Sequence, residues 1–253
     1  MVSEDVLHNL QSAQQFAEMA GMAKAKAGTL KLASSMGFTV AYRPASSDEA
    51  VIAHSFEDDI FLRDVPEYQP HRSHIVLDVG AHLGDFSLLL SRRVARVYAI
   101  EARQETFALL KTNLFLNDVT NVIADHAALG DKNGYTQLYL ATEGESWGDS
   151  TTFNFNGSEE RVPSLTLERY LFERNIPKVD FAKFNCEGAE FPILLSADKL
   201  TLSKFETMLV LYHCDLVSGG KERMLHEKLG QCGFTTSTRN QTESRGWIIA
   251  TRS

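Results

Sequence analysis

Residues 75 to 84 read Ile-Val-Leu-Asp-Val-Gly-Ala-His-Leu-Gly, an apolar strand running into a glycine-bounded loop. A nearly continuous apolar run is the mark of a strand buried on both faces, so it calls for helices above and below a sheet. After the loop, Leu83, Phe86 and Leu90 recur at helical spacing. A second strand over 94–100 ends at Glu101, a helix carries Phe107, Leu110 and Leu114 on one face, and a third strand covers 121–125. Strands alternating with helices over short connections imply parallel crossovers and an α/β fold.

The rhythm breaks between 134 and 162. Residues 135–140 alternate as a half-exposed strand does, and 143–158 is rich in Gly, Ser, Asp and Asn. We expect a β-hairpin insertion there, with a mobile loop carrying Trp147. Alternation returns with a helix marked by Leu167, Tyr170 and Leu171, then a fourth strand over 179–184 and a short helix around 192–195. A fifth strand over 207–212 and a helix over 221–229 follow. The last two strands, 234–239 and 246–252, flank the polar stretch 240–245 and should pair as an antiparallel hairpin. Ahead of this body, Val6, Leu10, Ala13, Ala17 and Ala20 are spaced as in an amphipathic helix over 5–27. That helix either packs on the main body or serves as a homodimerisation arm or lid. Between 28 and 73 only short β-like runs stand out, at 38–42 and 59–62. The expected division is a helical arm with its connecting segment, 1–58, and an α/β domain, 59–253.

A glycine turn after the first strand brings backbone N–H groups close to a ligand. Here the spacing is Asp78-x-Gly80-x-x-x-Gly84, with His82 where dinucleotide binders place the glycine that lets a diphosphate approach. A nucleoside with an amino-acid tail and no phosphates tolerates that histidine. Glu101, 21 residues beyond Gly80, is placed to take both ribose hydroxyls and to exclude a 2′-phosphate. Asp125 and His126 end the third strand, where an adenine ring would lie.

A formal net charge of −8, with no long run of Lys or Arg, argues against a nucleic-acid partner. No stretch has the roughly 18 apolar residues of a membrane span. Three cysteines, Cys186, Cys214 and Cys232, lack zinc-type spacing and read as free thiols. With no secretory leader, the expected location is cytoplasmic.

Four segments together, VLDVGAHLGDFS, YAIEA, NVIADHAALGD and VDFAKFNCEGAEF, resemble the FkbM family of methyltransferases over roughly residues 59–215. The family's K-x-D-x-E-G-x-E block becomes Lys183, Asn185, Glu187, Gly188 and Glu190. The resemblance implies a Rossmann-like class I fold, with a mostly parallel seven-stranded sheet whose last strand inserts antiparallel beside the fifth. It implies S-adenosylmethionine as cofactor, S-adenosylhomocysteine as product, and methyl transfer to a hydroxyl or carboxyl oxygen. Acceptors in the family include macrolides, sugars and other natural products. Asp78, Gly80, Ala81, His82, Gly84, Glu101, Ala102, Asp125, His126 and Asn185 are the expected cofactor contacts. The chain departs from the family pattern at Asn185, at His82, at Ala102 and in the ending Leu211-Tyr212-His213 of the fifth strand.

Methyl transfer is an in-line displacement in which the protein aligns the nucleophile and removes a proton. His213 and then Glu187 are the candidate bases, with Glu187 alternatively capping the helix after Gly188. Glu190 and Trp147 are candidates for the acceptor pocket or its lid, and Cys186 and Cys214 should end neighbouring strands. No metal site is expected, because Asn185 supplies a neutral oxygen where a carboxylate is usual. Two other readings stay open: a nicotinamide-dependent oxidoreductase on the same fold, and a catalytically weak cofactor-binding protein.

Overall fold

A computed structural model describes residues 4–57, 60–141 and 148–252. Trp147 therefore lies outside the described residues. The N-terminal segment forms two helices, α1 (Glu4–Met19) and α2 (Lys24–Ala27), where one was expected. Gly21, at φ 108°, turns the chain between them. β1 (Lys31–Ser35) and β2 (Phe38–Tyr42) make a separate antiparallel hairpin. Next come α3 (Asp48–Ile52), a π-helical turn (Ala53–Glu57) and α4 (Ile60–Arg63). The run at 59–62, expected to be extended, is thus helical from Ile60 onward. So short an apolar run carries no period that separates helix from strand.

The α/β body opens with β3 (Ile75–Val79), α5 (Asp85–Ser91), β4 (Arg96–Glu101), α6 (Gln104–Leu116) and β5 (Val122–His126). β6 (Ala128–Gly130), β7 (Gly134–Tyr139) and β8 (Glu159–Thr166) form a small sheet of their own. The expected hairpin is the β7–β8 pair, and β6 adds to β8 in parallel. The chain continues through α7 (Leu167–Glu173), β9 (Val179–Phe184), α8 (Glu190–Ser196), α9 (Lys199–Leu202) and β10 (Phe205–His213). It closes with α10 (Glu222–Gln231), β11 (Phe234–Arg239) and β12 (Arg245–Arg252).

The main sheet has seven strands in the order β11-β12-β10-β9-β3-β4-β5. β10, β9, β3, β4 and β5 run parallel, and β12 is antiparallel between β10 and β11. This is the Rossmann-like arrangement expected, with the terminal hairpin inserted beside the fifth parallel strand. Alternate residues of each strand feed opposite faces. Val76, Phe181, Leu209 and Ile249 join α5, α6 and the N-terminal segment, while Leu77, Ala182, Val210 and Ile248 join the opposite cluster with α7, α8 and α10. Ala13 and Ala17 of α1 and Val40 of β2 are buried in the first cluster, so the N-terminal helix packs through its small residues against α6. Full burial of each large apolar side chain stabilises by about 1.5–3 kcal/mol. No helix among the described residues is long and apolar enough to cross a membrane.

Candidate active site

The C-terminal ends of β3, β4, β9 and β10 open on one cavity of about 480 Å³. That volume lies in the ~300–1,000 Å³ range of small-molecule and cofactor sites. Gly80 forms its floor at φ 75°, and a Cβ there would collide with the backbone carbonyl of Asn185. The amides of Gly80 and Ala81 both donate to the Ile100 carbonyl at 3.0 Å, and the Asn185 amide donates to Val79 at 3.0 Å. Three strands thus meet beneath the loop, backbone against backbone.

Asp78 lies under this floor. Its carboxylate, fully buried, accepts from Lys183 Nζ at 2.8 Å and from the Ser87 hydroxyl at 2.7 Å. Lys183 also donates to the Gly80 carbonyl at 3.1 Å and lines the cavity. Gly84, where a Cβ would collide with Leu110, and the buried Ala81 are packing positions. Asp78, Ala81 and Gly84, expected as cofactor contacts, do not line the cavity; they hold the loop in shape from below.

Gly80, His82, Glu101, Ala102 and Asn185 do line it. Glu101 ends β4 with one oxygen accepting from the His82 amide and the other from the Arg103 amide, each at 2.9 Å. Each oxygen keeps lone-pair capacity for a ligand hydroxyl. Burial pushes the Glu101 carboxyl up to about 7 against those two amides. His82 adopts a left-handed backbone, φ 51°, with Nε2 3.5 Å from Asp48. Burial lowers its pKa to about 4, so the ring is neutral near pH 7. The fully buried Asp48 accepts from Arg43 Nε at 2.9 Å and Nη2 at 2.8 Å. Burial alone would raise its pKa; the guanidinium, with His82, brings it down to about 2.

Asp125 and His126 require a correction. The Asp125 carboxylate accepts from the Tyr170 hydroxyl at 2.8 Å and pairs with Arg174, so it faces a different cavity beyond α7. His126 lines that same second cavity, stacks on Phe107 and approaches the Ala102 carbonyl at 2.8 Å. The main cavity is lined instead by the next residues, Ala127 to Leu129, together with Leu138. A half-buried strand end does not reveal from sequence which face a later helix will cover.

Glu187 follows β9 with φ 49°, a conformation that costs a non-glycine residue on the order of 1–3 kcal/mol. The turn is braced by Glu190, which is fully buried and accepts from the amides of Cys186 at 2.7 Å and Gly188 at 2.9 Å. Glu190 therefore caps the turn, the role considered for Glu187, and does not itself line the cavity. Ser150, in the insertion, donates to the Glu187 carbonyl at 2.6 Å. His213, at the end of β10, has Nδ1 3.2 Å from Glu190 and Nε2 3.4 Å from Glu187. Burial opposes the imidazolium, but the two carboxylates outweigh it and raise the His213 pKa above its ordinary value. Burial pushes Glu187 up to about 7, with His213 pulling the other way. Both Glu187 and His213 line the cavity.

Several lining residues were not singled out from the sequence. Arg245 pairs with Asp215 at 2.8 Å and lies 3.9 Å from Glu187. It stands opposite His213 across the β10–β12 ladder, and Trp247 stands opposite Leu211. Their alternation on one strand is legible, but the long-range register that puts them beside His213 is not. Phe61 stacks against Trp247 with centroids 5.9 Å apart. Asp149, held by Arg103 at 2.9 Å, closes the side next to Ala102. Asp85 and Ser55, both buried and hydrogen-bonded to each other, line the side toward Lys183. Cys186 lines the cavity without Cys214, and burial pushes its thiol pKa up.

A family model described as the methyltransferase FkbM domain matches residues 78–234. The AMB antimetabolite synthetase AmbE of Pseudomonas aeruginosa is 24% identical over 249 residues, covering 83% of this chain and 12% of that protein. The chain thus spans only 12% of the length of that relative. Among solved structures, M. capricolum TrmK in complex with S-adenosyl-homocysteine is similar with a TM-score of 0.48 and 12% identity, over 76% of this chain and 67% of that one. An rRNA methylase from Streptococcus thermophilus is similar with a TM-score of 0.47 and 14% identity, over 78% of this chain and 96% of that one.

Proposed function

The chain belongs to the methyltransferase FkbM domain family, and on that premise we propose that it methylates a hydroxyl or carboxyl oxygen of a small-molecule acceptor. Its sheet is the class I methyltransferase fold, and S-adenosylmethionine is the methyl donor. The residues present fit that donor: the Gly80 floor leaves no room for a side chain, and the Glu101 carboxylate ends β4 beside it. Glu101 would hold the ribose hydroxyls, the apolar slot of Ala102, Leu129 and Leu138 would take the base, and Asn185 would flank the tail. When bound, the donor supplies a methyl group already activated by a sulfonium.

The observation that carries the oxygen-acceptor reading is the Glu187–His213 pair on the cavity wall. A neutral hydroxyl must lose its proton as the new bond forms, and a base titrating near neutrality suits that task. Glu187 and His213 would accept the proton together, with Glu190 fixing the ring from behind. The aromatic wall of Phe61 and Trp247 would exclude water and orient an apolar acceptor body.

The test is to supply S-adenosylmethionine with a panel of small alcohols, phenols, carboxylic acids and amines, and to follow S-adenosylhomocysteine release and product mass. Acceptor-dependent turnover with methyl on oxygen supports the reading. Methylation confined to amines overturns it, and donor binding without turnover across the panel favours a cofactor-binding role.

A further inference from the structure

Among the described residues, two largely buried carboxylates of the cavity serve neither the ribose role nor the proton-accepting role: Asp149, which is paired with Arg103, and Asp85. Asp85 is 3% exposed, Ser55 is 1% exposed, and both line the cavity from different elements. Among the described residues no lysine or arginine forms an ion pair with Asp85; its side-chain partner is the Ser55 hydroxyl. A carboxylate can accept about four hydrogen bonds, so most of its capacity is unspent. A buried charge in that condition is costly unless a cation meets it. Burial accordingly pushes the Asp85 carboxyl up to about 6, with the nearby Lys183 pulling it down.

The position of this pair names the ligand group. β4 and β9 flank β3 on opposite sides. Glu101 sits at the end of β4, whereas Lys183 and Asn185 belong to the β9 side, where Asp85 feels the Lys183 charge. A ligand with its ribose at Glu101 and its chain crossing the Gly80 floor therefore extends toward Asn185 and Asp85. Lys183 itself is engaged with Asp78 and the Gly80 carbonyl. We propose that Asp85 and Ser55 form an ammonium subsite that takes the α-amino group of the methyl donor's amino-acid tail. The inference rests on the donor alone and is independent of which atom accepts the methyl group.

Calorimetric titration tests it without any turnover. The ligands are S-adenosylhomocysteine and its deamino analogue, which keeps the nucleoside, sulfur and carboxylate. For the native chain the deamino analogue should bind tenfold or more weakly, the loss expected for one charge-assisted hydrogen bond. Asp85→Asn should weaken S-adenosylhomocysteine by a similar factor and leave the deamino analogue within twofold. Ser55→Ala should act in the same direction with a smaller loss, and it keeps the test available should Asp85→Asn fail to fold. Equal weakening of both ligands, or unchanged binding of S-adenosylhomocysteine, overturns the subsite. An acceptor amine as the true occupant would give that second result, together with a raised KM for amine-bearing acceptors in Asp85→Asn.

Discussion

The Glu187 carboxylate stands 3.4 Å from Nε2 of His213, while Glu190 meets Nδ1 of the same ring at 3.2 Å. The imidazole therefore lies between two acids of different character. Glu190 is sealed from the cavity and bonded to two amides, so it orients the ring; Glu187 faces the cavity, so it can exchange a proton with a ligand. Because the groups interact strongly, they titrate as a unit with apparent values that belong to the cluster.

His213→Ala and Glu187→Gln should each lower kcat by roughly 10²–10⁴-fold, the usual worth of a positioned base. Binding of S-adenosylhomocysteine should change little in either. In the native enzyme kcat/KM should rise with pH through the neutral range as the pair loses its proton, and that limb should move to lower pH in Glu187→Gln, where His213 titrates beside Glu190 alone. A pH–rate profile of both proteins checks this, and an unchanged limb in the variant removes Glu187 from the proton path.

Glu101→Ala should weaken S-adenosylhomocysteine by one or two charge-assisted hydrogen bonds, about 1.5–3 kcal/mol each. The loss should be absent for a homocysteine fragment that lacks the ribose. Titration calorimetry with both ligands decides, and equal effects on the two would contradict a ribose contact.

Gly80→Ala should abolish donor binding and lower the melting temperature, since its methyl meets the Asn185 carbonyl and φ stays at 75°. An alanine forced into a left-handed backbone alone costs about 1 kcal/mol. A variant with native melting and native donor affinity would show that β3 and β9 can separate at the loop.

Asp48→Asn removes the closer of two carboxylates from a buried guanidinium, leaving Glu105 at 3.4 Å, and should destabilise the fold by about 3 kcal/mol near pH 7. Asp48 is held at about 2, so its contribution is present above its ordinary value of 3.8 and is lost as the pH falls through 2. Urea unfolding at pH 7 measures the difference.

Glu187 works in the opposite sense. Its carboxyl is raised from 4.5 to about 7, so its stabilising share is complete below 4.5 and is lost as the pH rises through 7. Glu187→Gln should therefore gain about 1–3 kcal/mol relative to the native chain between pH 5 and pH 8. Thermal melts at both values test the sign.

The sheet was legible because buried parallel strands are written as unbroken apolar runs: Val179–Phe184 and Phe234–Arg239 match their expected limits residue for residue. β6 was not, since three residues pairing with a strand more than 30 positions later leave no local period. Within the site, Gly80 and Glu101 follow from local spacing along one crossover. Asp125 was misplaced because its partners, Tyr170 and Arg174, arrive from a helix 45 or more residues away. Glu187 and Glu190 were both visible, but which one faces the cavity depends on the left-handed turn at Glu187. Asp85, first residue of α5, carries no mark that separates it from an acid placed to suit a helix dipole.

Inserting β12 between β10 and β11 sets an order in time. The groups proposed to face the donor lie between Ser55 and Asn185, whereas Arg245 and Trp247, on the proposed acceptor wall, belong to the last of the described strands. Until that strand arrives, the outer edge of β10 presents unpaired N–H and C=O groups, an edge prone to pairing with other chains. A growing chain would thus own its grip on the nucleoside well before it could shelter the reaction from water, and loss of 245–252 would leave a sticky half-enzyme in place of a slower one.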